Sequence, residues 1–66
     1  MNKIKIVSAS ELSKVIDAHR SNRGLYLSLE SNGTDIVLVA CDNSTGDAWV
    51  EEFYSTKDAM RWLERA

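Results

Sequence analysis

Charged and aliphatic residues alternate from Lys3 to Val7, which predicts a short strand with Ile4 and Ile6 facing a core. Ser8 followed by Glu11 forms a capping box, in which hydroxyl and carboxylate satisfy each other's backbone amides and start a helix. Leu12, Val15, Ile16 and His19 then fall at i, i+3, i+4 and i+7, a single apolar stripe, and Gly24 suits the left-handed residue that ends a helix. Leu25, Leu27 and Leu29 alternate with Tyr26, Ser28 and Glu30, predicting a second strand with one core face. Asn32-Gly33 predicts a two-residue type I′ hairpin. That turn pairs Ser31 with Thr34, and so Leu29 with Ile36, Leu27 with Leu38 and Leu25 with Ala40, all on one face. Residues 42–47 read as a second turn, residues 48–54 as a fourth strand, and Ser55 with Asp58 as the start of a second helix. Ala59, Trp62, Leu63 and Ala66 repeat the helical spacing. The expected fold class is α+β, in the order β-α-β-β-β-α. Its mostly antiparallel four-stranded sheet is expected to carry both helices packed on one face, the leucine face.

The opposite sheet face is the unusual one. Tyr26, Val37, Val39 and Cys41 lie on it, with only Ser28 and Glu30 as polar relief, whereas a solvated face alternates more cleanly. The register of the fourth strand decides what joins them. Pairing Asn43 with Asp47 around a three-residue loop puts Trp49 and Phe53 on this outer face. Pairing Asp42 with Asp47 around a four-residue loop flips every side chain and sends both aromatics to the core. The turn's Asn-x-x-Gly pattern favours the first register, and the area buried by two large aromatics favours the second. Tyr26, Val37 and Val39 stay on the outer face in both, so an apolar interface is expected there, with Trp49 and Phe53 as conditional members.

Composition narrows the classes. A chain of 66 residues is read as one domain, 1–66, which buries only about 60% of its unfolded surface and gains from association. The formal net charge of −2 argues against a dedicated nucleic-acid binder. Charge is also split along the chain. Lys3, Lys5, Lys14, Arg20 and Arg23 outweigh Glu11 and Asp17 up to residue 23, while the stretch from Glu30 to Glu52 holds six acids and no base. The chain contains no apolar run of signal-peptide or membrane length, so the expectation is a cytoplasmic protein without a membrane partner. A lone cysteine, Cys41, excludes an internal disulfide and a multi-cysteine zinc site.

Candidate chemistry is sparse. His19 is the sole histidine, and it meets Cys41 only if the tertiary fold brings a helix stripe to a strand end, so Cys41 is read as a packing residue and His19 as a boundary residue. Glu51 and Glu52 are strand neighbours and point to opposite faces, which prevents them from sharing a substrate as an acid/base pair. An EF-hand alignment with Gly46 at the glycine position puts Glu52 at the last ligand position but Cys41 at the first, and strands flank the loop where helices are required. The three glycines form no phosphate loop. No enzyme activity, catalytic residue, cofactor or metal is expected.

The run Phe53-Tyr54-Ser55-Thr56-Lys57-Asp58-Ala59-Met60-Arg61-Trp62-Leu63 resembles the strand-to-helix step of the arm-site DNA-binding domains of phage-type tyrosine recombinases. From residue 10 onward the α-β-β-β-α order is similar to that of double-stranded-RNA-binding domains. Both resemblances imply basic residues on the sheet or at the start of the second helix. Glu51, Glu52 and Asp58 stand there, with Lys57 the sole base, so no functional residue transfers. The leading expectation is a non-enzymatic protein-interaction module, plausibly homodimeric, that uses Tyr26, Val37, Val39, Trp49 and Phe53 to bind itself or another protein. The alternative is a nucleic-acid-binding accessory protein of a bacterial or phage system, with aromatic stacking on that face and Lys3, Lys5, Arg20 and Arg23 on phosphates.

Overall fold

A computed structural model describes residues 3–31 and 33–65; Met1, Asn2, Asn32 and Ala66 lie outside the described residues. The elements are β1 (Ile4–Val7), α1 (Ala9–Asp17), β2 (Gly24–Ser31), β3 (Ile36–Asn43), β4 (Trp49–Phe53) and α2 (Thr56–Glu64), the expected order of a small α+β fold. The strands lie side by side in the order β1-β2-β3-β4. The sheet is mixed: β1 runs parallel to β2, and the other two pairs are antiparallel. A parallel neighbour cannot be reached through a tight turn, and α1 supplies the required crossover.

Local chemistry starts both helices where the sequence places them. The Ser8 hydroxyl accepts from the Glu11 amide at 3.1 Å, and the Glu11 carboxylate accepts from the Ser8 amide at 3.2 Å. The bond from the Ser8 amide, with a further contribution from the Ser8 hydroxyl beside the carboxylate, holds the Glu11 carboxyl below its ordinary pKa. Ser55 caps α2 by accepting from the Asp58 amide at 3.4 Å. α1 is shorter than its stripe suggests: it ends at Asp17, His19 lies in the turn beyond it, and Gly24 (φ +146°) opens β2 instead of closing the helix.

The helices do not share a face. Leu12, Val15 and Ile16 of α1 pack on Tyr26, Val37, Val39 and Cys41, with Val7 and Ala48 at the margin. Ala59 and Leu63 of α2 pack on Leu25, Leu27 and Ala40, flanked by Ile4, Leu38, Phe53, Met60 and Trp62. The result is helix, sheet, helix, with a core on each side of the sheet. This corrects the expectation of two helices on one face, and it explains the apolar outer face: β2 and β3 are buried on both sides, so they read as nearly continuous apolar runs. Ser28 is fully buried under α1, and its Oγ has no partner.

Both turns are longer than expected. Ser31 pairs with Ile36, two residues beyond the expected Thr34, and Leu29 faces Leu38, not Ile36. The turn expected at Asn32-Gly33 includes Asn32, which lies outside the described residues; Gly33 takes a positive φ of 105°. A shift of two residues preserves every facing, because side chains alternate with period two. In the same way β4 pairs Asp42 with Trp49 and Leu38 with Phe53, a register two residues from the four-residue alternative above. Trp49, Glu51 and Phe53 thus take the α2 side, and Val50 and Glu52 the α1 side. Ile6 takes the α2 side with Ile4, the expected facing, but it is not covered there and is 72% exposed.

Asn43 fixes the longer β3–β4 turn. It is fully buried, and its Nδ2 donates to the carbonyls of His19 and Asn22, each at 2.7 Å, while its Oδ1 accepts from the Ala48 amide at 3.0 Å. Ala48 sits at φ +53°, a left-handed conformation that costs a non-glycine residue about 1 kcal/mol and persists because its surroundings enforce it. Tyr26 Oη donates to the Asn22 carbonyl at 2.9 Å, closing the same knot from β2.

Two stability measurements check this packing. Val39→Asp should lose more than about 3 kcal/mol and unfold the chain in urea titrations followed by circular dichroism, because the carboxylate enters the α1 core; a folded variant would contradict that placement. Asn43→Ala should cost about 3 kcal/mol in the same assay, since three bonds vanish and the half-buried His19 and Asn22 carbonyls each lose a donor.

Candidate interaction surface

The five residues expected to form one interface are split between two layers. Tyr26, Val37 and Val39 are buried beneath α1. The face they form is a core, not an open surface. Trp49 and Phe53 lie on the other side of the sheet, where Trp49 is 65% exposed and Phe53 is half-buried. The Phe53 ring packs against Trp62 of α2, with centroids 5.9 Å apart and planes at 51°.

Sequence reasoning missed the groove that this arrangement makes. β4 is an edge strand, and α2 crosses the sheet beside it without covering Trp49. Between them runs a shallow groove of about 350 Å³ lined by Asp42, Trp49, Glu51, Trp62 and Arg65. A second hollow of about 280 Å³, lined by Phe53, Asp58, Arg61, Trp62 and Arg65, continues it along α2. In the sequence Trp62 appears only as a member of the α2 helical spacing; two tryptophans and a phenylalanine on one thin layer are more aromatic surface than a nine-residue helix covers, and that is the available signal. A separate exposed set, Ile6, Leu29 and Ile36, falls on neighbouring positions at the opposite end of the α2 side.

The residues weighed for bond-making chemistry are placed elsewhere. Cys41 is fully buried in the α1 core, and its thiol pKa is pushed up by burial, with the Asp42 charge adding to the effect. His19 Nδ1 donates to the Gly46 carbonyl at 2.6 Å, which commits that nitrogen to the turn. Asp42 accepts from the Ser44 amide and hydroxyl at 3.0 and 2.6 Å, and Asp47 accepts from the Thr45 hydroxyl at 2.8 Å. Among the described residues no group of three His, Cys, Asp or Glu side chains could hold a metal ion.

The bases assigned to phosphates are dispersed in part. Lys5 Nζ lies 5.8 Å from the Tyr26 ring centroid, a cation–π contact at the edge of the α1 core, and the Arg23 side chain packs over Gly46. No described helix is long and apolar enough to cross a membrane. No protein-family model, curated protein or solved structure matches the chain.

A raised thiol pKa in a dry core has a direct readout. At pH 8 Cys41 should react with iodoacetamide far more slowly in the native chain than in 6 M guanidinium, followed by intact mass; equal rates would place the thiol at the surface.

Proposed function

We propose that this chain is a non-enzymatic protein-interaction module, acting in the cytoplasm, that receives its partner along β4 and the adjoining groove beside α2. The carrying observation is the exposure of Trp49 on an edge strand, next to the half-buried Trp62 and Phe53. Large aromatics that stay partly wet beside a concavity supply most of the contact energy in protein interfaces. The groove adds carboxylates at Asp42 and Glu51 and a guanidinium at Arg65, which serve orientation and specificity. The acidic surroundings of Trp49 favour a protein partner over the nucleic-acid alternative, whose exposed stacking platform at Tyr26 is now occupied by α1.

Self-association is a second reading, supported by a different observation. Ile6, Leu29 and Ile36 leave aliphatic surface open at the far end of the α2 side, and a chain of this size gains stability from covering it.

One cross-linking series separates these readings. A photoreactive amino acid replaces Trp49, Leu29 or Lys14 in the full chain expressed in cells. Discrete adducts to another protein at position 49, and none at Lys14 on the exposed side of α1, are expected. Adducts between two copies at position 29 support self-association, and position 49 labelling no more than position 14 overturns the main reading. Trp49→Ala should meanwhile change stability by less than about 0.5 kcal/mol, because the side chain is exposed.

A further inference from the structure

The outer edge of β4 carries a two-sided pattern that names its partner's chemistry. β4 is hydrogen-bonded on one side to β3, and no described strand pairs with its other side, so alternate backbone amides and carbonyls face outward. Along this edge the sequence runs Trp49, Val50, Glu51, Glu52, Phe53, Tyr54: two apolar residues, two acids, two apolar residues. Register places Trp49, Glu51 and Phe53 on the α2 side and Val50 and Glu52 on the α1 side, so each face presents a carboxylate beside apolar neighbours. All but Phe53 are exposed, Tyr54 at 76%.

We infer, building on the proposed interaction surface, that β4 takes up an extended segment as a fifth strand, and that this segment carries two consecutive basic residues flanked on both sides by apolar β-formers. Backbone bonds along the free edge provide the docking, and alternate side chains provide selection. Opposite Glu51 and Glu52, adjacent Lys or Arg residues project to opposite faces and each meets one carboxylate; the flanking apolar residues meet Trp49, Val50, Phe53 and Tyr54. Asp42 and Asp47 at the Trp49 end extend the acidic field, and Arg65 across the groove is the sole base lining it. The pattern is symmetric about its acidic pair and accepts either strand direction.

The same acids turn away a second copy. Antiparallel two-fold pairing of two β4 edges centred on the acids sets Glu51 against Glu51 or Glu52 against Glu52, and like charges directly opposite are destabilising. The charges that protect this edge from self-pairing therefore select a partner of the other sign.

The test uses the full chain, labelled with ¹⁵N, and two capped octapeptides: Ser-Val-Val-Lys-Lys-Val-Val-Ser and its counterpart with Glu-Glu at the centre. The dibasic peptide should shift the amides of residues 49–53, slow their hydrogen exchange, and bind at least about tenfold more tightly than the diglutamate peptide, with affinity falling as salt rises. The double variant E51K/E52K should reverse the preference, a gain that a misfolded chain cannot produce. Equal affinity for both peptides, shifts centred away from β4, or no shifts at millimolar peptide would overturn strand addition. If adducts at position 49 persist while the dibasic peptide leaves β4 unperturbed, the interaction surface stands and the dibasic strand is wrong. If both fail, the surface itself is wrong.

Discussion

The carboxamide of Asn43 is the constraint on which the arrangement depends. Three otherwise separate segments converge on one buried side chain: the end of the α1 turn through His19, the approach to β2 through Asn22, and the β3–β4 turn through Ala48. Each atom that can bond does so, which makes a buried polar group compatible with a thin core. By holding the Ala48 amide it also fixes the length of the turn, and turn length decides which face of the sheet receives each residue of β4. The position of Trp49 on the α2 side is thus set from the other side of the sheet.

Sandwiching the sheet between one helix per face suits so short a chain. Two helices side by side on one face would leave Tyr26, Val37, Val39 and Cys41 wet, and the loss would be large against a margin of a few kcal/mol. Splitting them gives two small cores with β2 and β3 as the shared wall. The cost is at the edges. Neither helix reaches across the sheet, so Ile6 and Leu29 on one flank and Trp49 and Val50 on the other remain in water. The candidate contact surface is what the sandwich leaves uncovered.

Much of the fold was legible in the sequence, and the limits follow from what periodicity encodes. The Ser8–Glu11 box, the two helices and four strands in their order, and the leucine face are local patterns and are present, although α1 ends before its predicted stop. Alternation assigns residues to faces but not faces to helices, because the side taken by a crossover helix is settled by chain topology. The two turns were misjudged for a related reason: Asn32-Gly33 satisfies a two-residue turn locally, yet the pairing of Leu29 with Leu38 is chosen by the whole hairpin. For the candidate surface, the pattern offers Trp49 and Phe53 as aromatics whose side depends on register, while Tyr26, Val37 and Val39 prove to be core, because an apolar face reads the same whether a helix or a partner covers it.

The α1 layer has one more consequence. α1 contributes a single fully buried side chain, Leu12, and rests partly on Ser28, whose hydroxyl offers it nothing, while β2, β3, β4 and α2 follow one another along the chain as neighbours. Regions with few buried contacts open at lower free energy than the rest of a protein. Any such opening lifts the cover from Tyr26, Val37, Val39 and Cys41 at once, so a sticky strand surface and a thiol are released together. Protection of the Cys41 thiol therefore depends on α1 staying down, and a helix held by so little is what keeps the inner strand surface dry.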